Sequence, residues 1–302
     1  MKLYIKANNK KIVKNLDLLL PKYNTKTATF LDNNSPIEYI TNLESANILD
    51  NQKEKLFFDN RELKNIINGI YFGNSSCEHL MPTIKDIVEV KEMIKPKKYN
   101  FVFVFAPLSE FSFPKAIEIL EYLNNFSSEV VVNDFGTLNL ALKYKNIKPI
   151  LGTNFTKSIK KAFDSNIQDD IDILHHLEFE VKEVREFYKG LGVGRISCEN
   201  LNIDTAFLKQ SPYLYLDLYY PYIYISNSKA CQIATNFKNE DGTFVNDDCH
   251  KYCTQVSCDF KNSKIYNFYQ RYNTIYKPNT PLELDANIYK GKKNRLIWEI
   301  FL

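Results

Sequence analysis

The chain has 302 residues, 44% of them hydrophobic, with 39 basic against 36 acidic side chains and a formal net charge of +3. Length and apolar content suit one large domain, alone or with a small extra piece, and the near-balanced charge gives no global field that would mark a nucleic-acid binder. The N-terminal MKLYIKANNKKIVKNLDLLLPKY is too interrupted by charge to form a signal core, and no later run reaches spanning length. This predicts no membrane span and a cytoplasmic, reducing setting, where a disulfide framework is disfavoured.

In chain order, KLYIKA and TATFL are strand-like and separated by turn-forming NN and DNNSP. Residues 1–66 are therefore expected to form a small N-terminal extension. From residue 67 to 302 the pattern becomes that of a repeating α/β domain. GIYFG suits a buried strand, and PTIKDIVEVKEMI places Ile84, Ile87, Val88 and Met93 at helical spacing. NFVFVFAP is a strongly apolar strand ended by Pro107. The next helix, SFPKAIEILEYLNNF, has Ser112 as its expected N-cap, Pro114 in its first turn, and Ala116, Ile117, Leu120 and Leu123 on one face. EVVVND, GTLNLALKYK, KPILGT and FTKSIKKAF continue the alternation, followed by IDIL, EVREFYKGLG, GRISCE and YLYLDLYYP. Strands that are apolar throughout, alternating with helices of about ten residues, mark parallel strands covered by helices. The expected fold is a (β/α) barrel, TIM-barrel-like and open to being incomplete. KIYNFYQRYNTIY and NRLIWEIFL near the end read as strands again, as a closing or appended hairpin.

In such a barrel, function gathers where strands end and loops begin. Cys77 comes soon after GIYFG, Asn133 and Asp134 follow EVVV, Thr153 and Asn154 follow PILG, Cys198 ends GRIS, and Cys231 follows YPYIYI. Parallel strands bring these positions to one rim. Asn133 and Asp134 suit helix capping and substrate contact equally well.

Of the six cysteines, four form a late group, C-x17-C-x3-C-x4-C from Cys231 to Cys258. The pairs do not match a zinc-finger pattern. An iron–sulfur cluster needs four thiolates, and three late cysteines plus one rim cysteine would supply them. Cys198, in an apolar strand, reads as a small buried hydrophobe. DDCHKYC is polar and suits metal or cluster binding better.

The runs EVVVNDFGTLNLALKY, KPILGT, LGVGRISCENL and YPYIYISNSKAC, in that order, resemble the collagenase-like peptidase family, peptidase family U-thirty-two, over roughly residues 68–260. Within it the pattern is most similar to the UbiV-type iron–sulfur ubiquinone-biosynthesis branch. The resemblance implies a [4Fe–4S] cluster on Cys77, Cys231, Cys249 and Cys253, leaving Cys198 and Cys258 over. It also implies oxygen-independent hydroxylation or a related redox modification of an aromatic substrate, a quinone precursor or an RNA base, with a sister protein of the same family as partner. No H-E-x-x-H, G-x-S-x-G or G-x-x-x-x-G-K-[ST] occurs. KGLGVGR is G-x-G-x-G after a helix, which fits a helix end rather than a dinucleotide loop. Two other readings stay open: a peptidase-type hydrolase, and a binding or scaffold protein whose loops are tied by zinc.

Overall fold

The computed structural model describes residues 2–19, 67–156, 177–201, 203–228, 231, 249, 251–254, 258–261, 267–278 and 293–300. Eight parallel strands close into a barrel: β1 (Lys2–Ala7), β2 (Ile67–Gly73), β3 (Asn100–Val104), β4 (Ser128–Val132), β5 (Ile147–Leu151), β6 (Arg195–Glu199), β7 (Tyr215–Tyr220) and the late strand β12 (Arg295–Ile300). The chain is a TIM-barrel-like α/β protein. Between β7 and β12 an antiparallel sheet is inserted, in the order β8 (Tyr222–Asn227), β11 (Thr274–Pro278), β10 (Asn267–Arg271) and β9 (Cys258–Lys261).

Two sequence expectations change. Residues 2–7 are not part of an extension outside the barrel. They form β1, which pairs with β2 on one side and β12 on the other. The reason lies in the barrel interior. Tyr4 and Lys6 point inward with Ile297, Glu299 and Tyr71 as neighbours, so a strand buried on both faces carries polar tips and reads as half-exposed. The late strands also separate into two roles: NRLIWEI closes the barrel as β12, whereas β10 and β11 form a hairpin of the inserted sheet.

The outer layer is helical. α1 (Lys10–Lys14) and α2 (Leu16–Leu19) follow β1, α3 (Ile84–Ile94) follows β2, and α4 (Phe113–Asn124) follows β3. α5 (Phe135–Ala141) follows β4, while α6 (Lys182–Gly190) and α7 (Ala206–Gln210) precede β6 and β7. Thr83 starts α3 with a capping box, its hydroxyl accepting from Asp86 N while the Asp86 carboxylate accepts from Thr83 N. Ser112 does not cap α4 with its side chain, because a 3-10 turn at Glu110–Ser112 runs directly into the helix. Ile87, Val90 and Ile94 of α3 and Ala116, Ile119, Leu120 and Leu123 of α4 bury against the barrel's outer face. Gly190 ends α6 and Gly192, at φ +78°, turns the chain toward β6. The expected helix FTKSIKKAF beyond Thr156, the strands TATFL and IDIL, and His175, His176 and His250 lie outside the described residues. Among the described residues no helix is long and apolar enough to cross a membrane.

The interior is filled in layers. At the N-terminal end of the strands, Arg195 Nη1 donates to Asp217 Oδ1 at 2.6 Å and Arg295 Nη2 donates to Glu129 Oε2 at 2.7 Å. Tyr71 donates to Asp217 and accepts from Arg295 Nη1, and Arg295 also stacks over the Tyr4 ring at 4.6 Å. Gly69 makes room for Tyr4, since a Cβ there would lie 2.5 Å from Tyr4 Cε1. Burial pushes the Asp217 carboxyl up, and the two guanidiniums pull it back. Two arginines paired with two carboxylates keep this buried charge compensated. Val102, Val104, Val131 and Ile150 occupy the middle.

Candidate functional site

The C-terminal ends of the strands carry a second polar layer. Lys6, fully buried near the end of β1, donates to Asn8 Oδ1 at 2.6 Å and to the Gly73 carbonyl. Gly73 sits at φ +129°, and a Cβ there would lie 2.2 Å from the Val104 carbonyl oxygen, so only glycine brings its own carbonyl to Lys6 in this way. Glu299 of β12 and Glu199 of β6 are buried nearby. Burial lowers the Lys6 ammonium to about 8 against the pull of Glu299. Burial raises the Glu299 carboxyl to about 7, opposed by Lys6 and reinforced by Glu199. Glu199 and Glu299 border a small cavity of ≈30 Å³ that also meets Ser76, Asn154, Tyr219 and Tyr276. That volume holds about one or two waters.

The inserted sheet supplies the tyrosines beside this mouth, and the thiols gather on their other side. Cys77 follows β2 and precedes a 3-10 turn at Glu78–Leu80. Asn74 fixes the approach: its Oδ1 accepts from Cys77 N at 2.8 Å and Ser76 N at 2.9 Å, an Asx-type turn. Cys77 is buried and packs with Tyr222, Tyr272, Tyr276, Leu80 and Cys253. Cys231, Cys249 and Cys253 are half-buried, and none of these four cysteines is in a disulfide. Cys231 Sγ reaches the Tyr272 carbonyl at 3.9 Å.

Cys77, Cys231, Cys249 and Cys253 are near enough to act on one another. Burial pushes the Cys77 thiol up to about 11, and the charges of Cys249 and Cys231 add to the rise. Burial pushes Cys253 up to about 12, with Cys77, Cys231 and Cys249 each adding. Among the described residues, no group of three or more His, Cys, Asp or Glu side chains stands at coordinating spacing. The four sulfurs thus share one region without forming a tight shell. As a donor set they fit a thiolate-ligated centre: four cysteines in no disulfide, of which burial keeps Cys77 and Cys253 protonated unless a cation compensates the thiolate charge.

The other rim positions play different parts. Cys198 lies in β6 within the outer core, 1% exposed and away from the late thiols, and burial raises its thiol strongly. Cys258 opens β9 opposite Gln270. Asp134 is the N-cap of α5: its carboxylate accepts from Thr137 N at 2.7 Å, Thr137 Oγ1 at 2.6 Å and Leu108 N at 3.1 Å. Of the two roles expected for it, the geometry gives Asp134 capping. Asn133 is buried, its Nδ2 donates to the Phe105 carbonyl at 2.7 Å, and its Oδ1 has no hydrogen-bond partner among the described residues. Neither residue lines the mouth cavity. Lys6, Glu199, Glu299 and Asn74 were not among the expected site residues. The signal for Lys6, Glu199 and Glu299 was a pair of charges four positions apart in an otherwise apolar strand, as in KLYIKA, RISCE and RLIWEI, whereas Asn74, an uncharged residue just after β2, carried none.

The fold and this rim define a closed (β/α) barrel with a thiol cluster and a carboxylate–lysine layer at its C-terminal mouth. No protein-family model, curated protein or solved structure matches the chain.

Proposed function

We propose that this chain is an iron–sulfur protein of the collagenase-like peptidase type, acting in oxygen-independent hydroxylation or a related redox modification of an aromatic substrate. One observation carries the reading: Cys77, from the second barrel strand, shares a tyrosine-walled region with Cys231, Cys249 and Cys253, more than 150 residues later. These four would hold a [4Fe–4S] cluster, and Asn74 would position Cys77. Such a cluster supplies one-electron transfer when bound. A cytoplasmic setting, where thiols stay reduced, and a sister protein as partner belong to the same proposal.

Anaerobic purification followed by iron and sulfide analysis tests it. A brown protein with absorption near 400 nm and about four irons per chain is the expected result. Cys77→Ser and Cys231→Ser should each lower the iron content sharply, whereas Cys198→Ala should leave it unchanged. A colourless protein holding zinc would replace this reading with a metal-tied binding scaffold, and peptide cleavage that persists without any cysteine would favour the hydrolase.

A further inference from the structure

Next to the thiols lies a larger cavity of ≈540 Å³, the size of a small-molecule site. Its apolar wall is Phe72, Leu80, Met81 and the Tyr272 ring. Leu80 and Tyr272 also pack on Cys77, so the cavity and the thiol region share a wall. Its charge is lopsided. Among the described lining residues, Lys10, Lys11, Lys115 and Lys251 face one carboxylate, Asp86.

That carboxylate is already committed. Asp86 caps α3 and pairs with Lys10 at 3.1 Å, and Lys10 also holds Glu89 at 2.7 Å. Lys115 donates to the Met81 carbonyl at 2.6 Å, and among the described residues neither Lys115 nor Lys251 has a carboxylate at ion-pair distance. The two ammoniums are near enough to act on one another: partial burial lowers Lys115 and the charge of Lys251 adds to this, while Asp86 and Glu118 pull it back up. Like charges gathered at one wall repel, and an anion between them relieves that repulsion.

The backbone adds a separate observation. Lys251 and Tyr272 hold left-handed conformations, φ +58° and +59°, and are two of the three non-glycine residues described that do so. Both border this cavity. Tyr272 opens the two-residue turn between β10 and β11, where a positive φ is ordinary, whereas Lys251 precedes the 3-10 turn at Tyr252–Thr254, and strain of its kind is common at ligand sites.

We propose that this cavity binds a small aromatic anion, a ring bearing one carboxylate or phosphate. The ring lies against Phe72, Leu80, Met81 and Tyr272, and the anionic group sits between Lys115 and Lys251. The inference deepens the reading above by naming the charge of its aromatic substrate, and rests on that reading for the substrate's role. The binding itself does not require the cluster.

Calorimetric titration of the anaerobically prepared full chain tests it, with benzoate, phenyl phosphate, benzyl alcohol, inorganic phosphate and a short single-stranded oligonucleotide as probes. Benzoate or phenyl phosphate is expected to bind at least about tenfold more tightly than benzyl alcohol or inorganic phosphate, and more weakly as salt rises. Lys115→Ala and Lys251→Gly should each weaken that binding by about tenfold. Lys251→Gly relieves the left-handed backbone, so its melting temperature should not fall, which separates lost binding from lost fold. Lys115 belongs to α4, outside the cysteine loops, so Lys115→Ala should keep the iron content of the parent. A parent without iron sinks the cluster reading alone. Aromatic anions that fail to bind at millimolar concentration, that bind no better than benzyl alcohol or inorganic phosphate, or that bind both variants unchanged overturn this inference. An oligonucleotide that outbinds phenyl phosphate also overturns it, in favour of a nucleic-acid surface.

Discussion

Replacing Lys6 by Met removes a cation that is fully buried and leaves Glu299 in the same buried layer with Glu199. The consequence depends on pH. The Glu299 carboxyl is held above its ordinary 4.5, at about 7, so its contribution to stability is complete below about 4.5 and is lost as pH rises through about 7. The Lys6 ammonium is held below its ordinary 10.5, at about 8, so its contribution is complete above about 10.5 and is lost as pH falls through about 8. Between about 7 and 8 both groups are strained, and their mutual attraction is what offsets the desolvation. Without Lys6, Glu299 must fold protonated, at about 1.4 kcal/mol for each pH step above its unfolded value. The parent, whose carboxyl titrates at about 7, already carries most of that cost at pH 7, so the extra deficit of the variant there is below about 1 kcal/mol and grows by about 1.4 kcal/mol for each pH step above 7. At pH 5 the carboxyl is protonated in both proteins, and this part of the deficit vanishes. Urea unfolding followed by far-UV circular dichroism at pH 5 and pH 8 measures this, and Lys6→Met/Glu299→Gln should remove the pH-dependent part of the loss. A deficit equal at pH 5 and pH 8, or a pH dependence that Glu299→Gln fails to relieve, would refute the account of the mouth as a charge-compensated layer.

Gly73→Ala places a methyl 2.2 Å from the Val104 carbonyl at φ +129°, and should cost about 3 kcal/mol, read as a lower urea midpoint. An unchanged midpoint would contradict the close approach of β2 and β3. Arg295→Met should cost about 3–5 kcal/mol because it strips Glu129 of its bidentate partner and Tyr71 of a donor, whereas Lys293→Ala, at the exposed turn just before the same strand, should stay within about 0.5 kcal/mol. Thermal unfolding of both variants decides between a structural charge layer and an incidental one.

The sequence discloses most of the barrel through its middle strands. FVFV, EVVV and KPIL are buried on both faces, and the helices between them show clear apolar stripes. It hides the two strands that close the ring. β1 carries Lys6 inward and β12 carries Arg295 and Glu299 inward, so each reads as a strand with one wet face. A polar lumen therefore disguises barrel strands as periphery, and the boundary expected at residue 66 was drawn on that disguise. The site was legible to the same degree. Thiols announce themselves by type and spacing, and the rim argument brings Cys77 to the late group. Asn74, Lys6 and the two glutamates are ordinary residues whose significance comes from burial, which one-dimensional spacing does not display.

The inserted sheet joins these two layers of the mouth. Tyr276, buried on β11, packs on Cys77 on one side and borders the cavity of Glu299 on the other, and it is linked to Ser76, the neighbour of Cys77. Burial, with the charge of Glu299, holds its phenol well above the ordinary value, so it stays neutral at any working pH. A neutral ring suits that position. Four thiols and two carboxylates all become anionic on deprotonation, and in a poorly screened interior their mutual repulsion would be large if they shared one chamber. Tyr276 stands between the carboxylates, which Lys6 compensates within the barrel, and the sulfurs on its other side. A plain (β/α) unit would end β7 in a helix and leave the mouth open. The antiparallel sheet inserted between β7 and β12 instead places tyrosines beside both layers, next to the strand that carries Glu299.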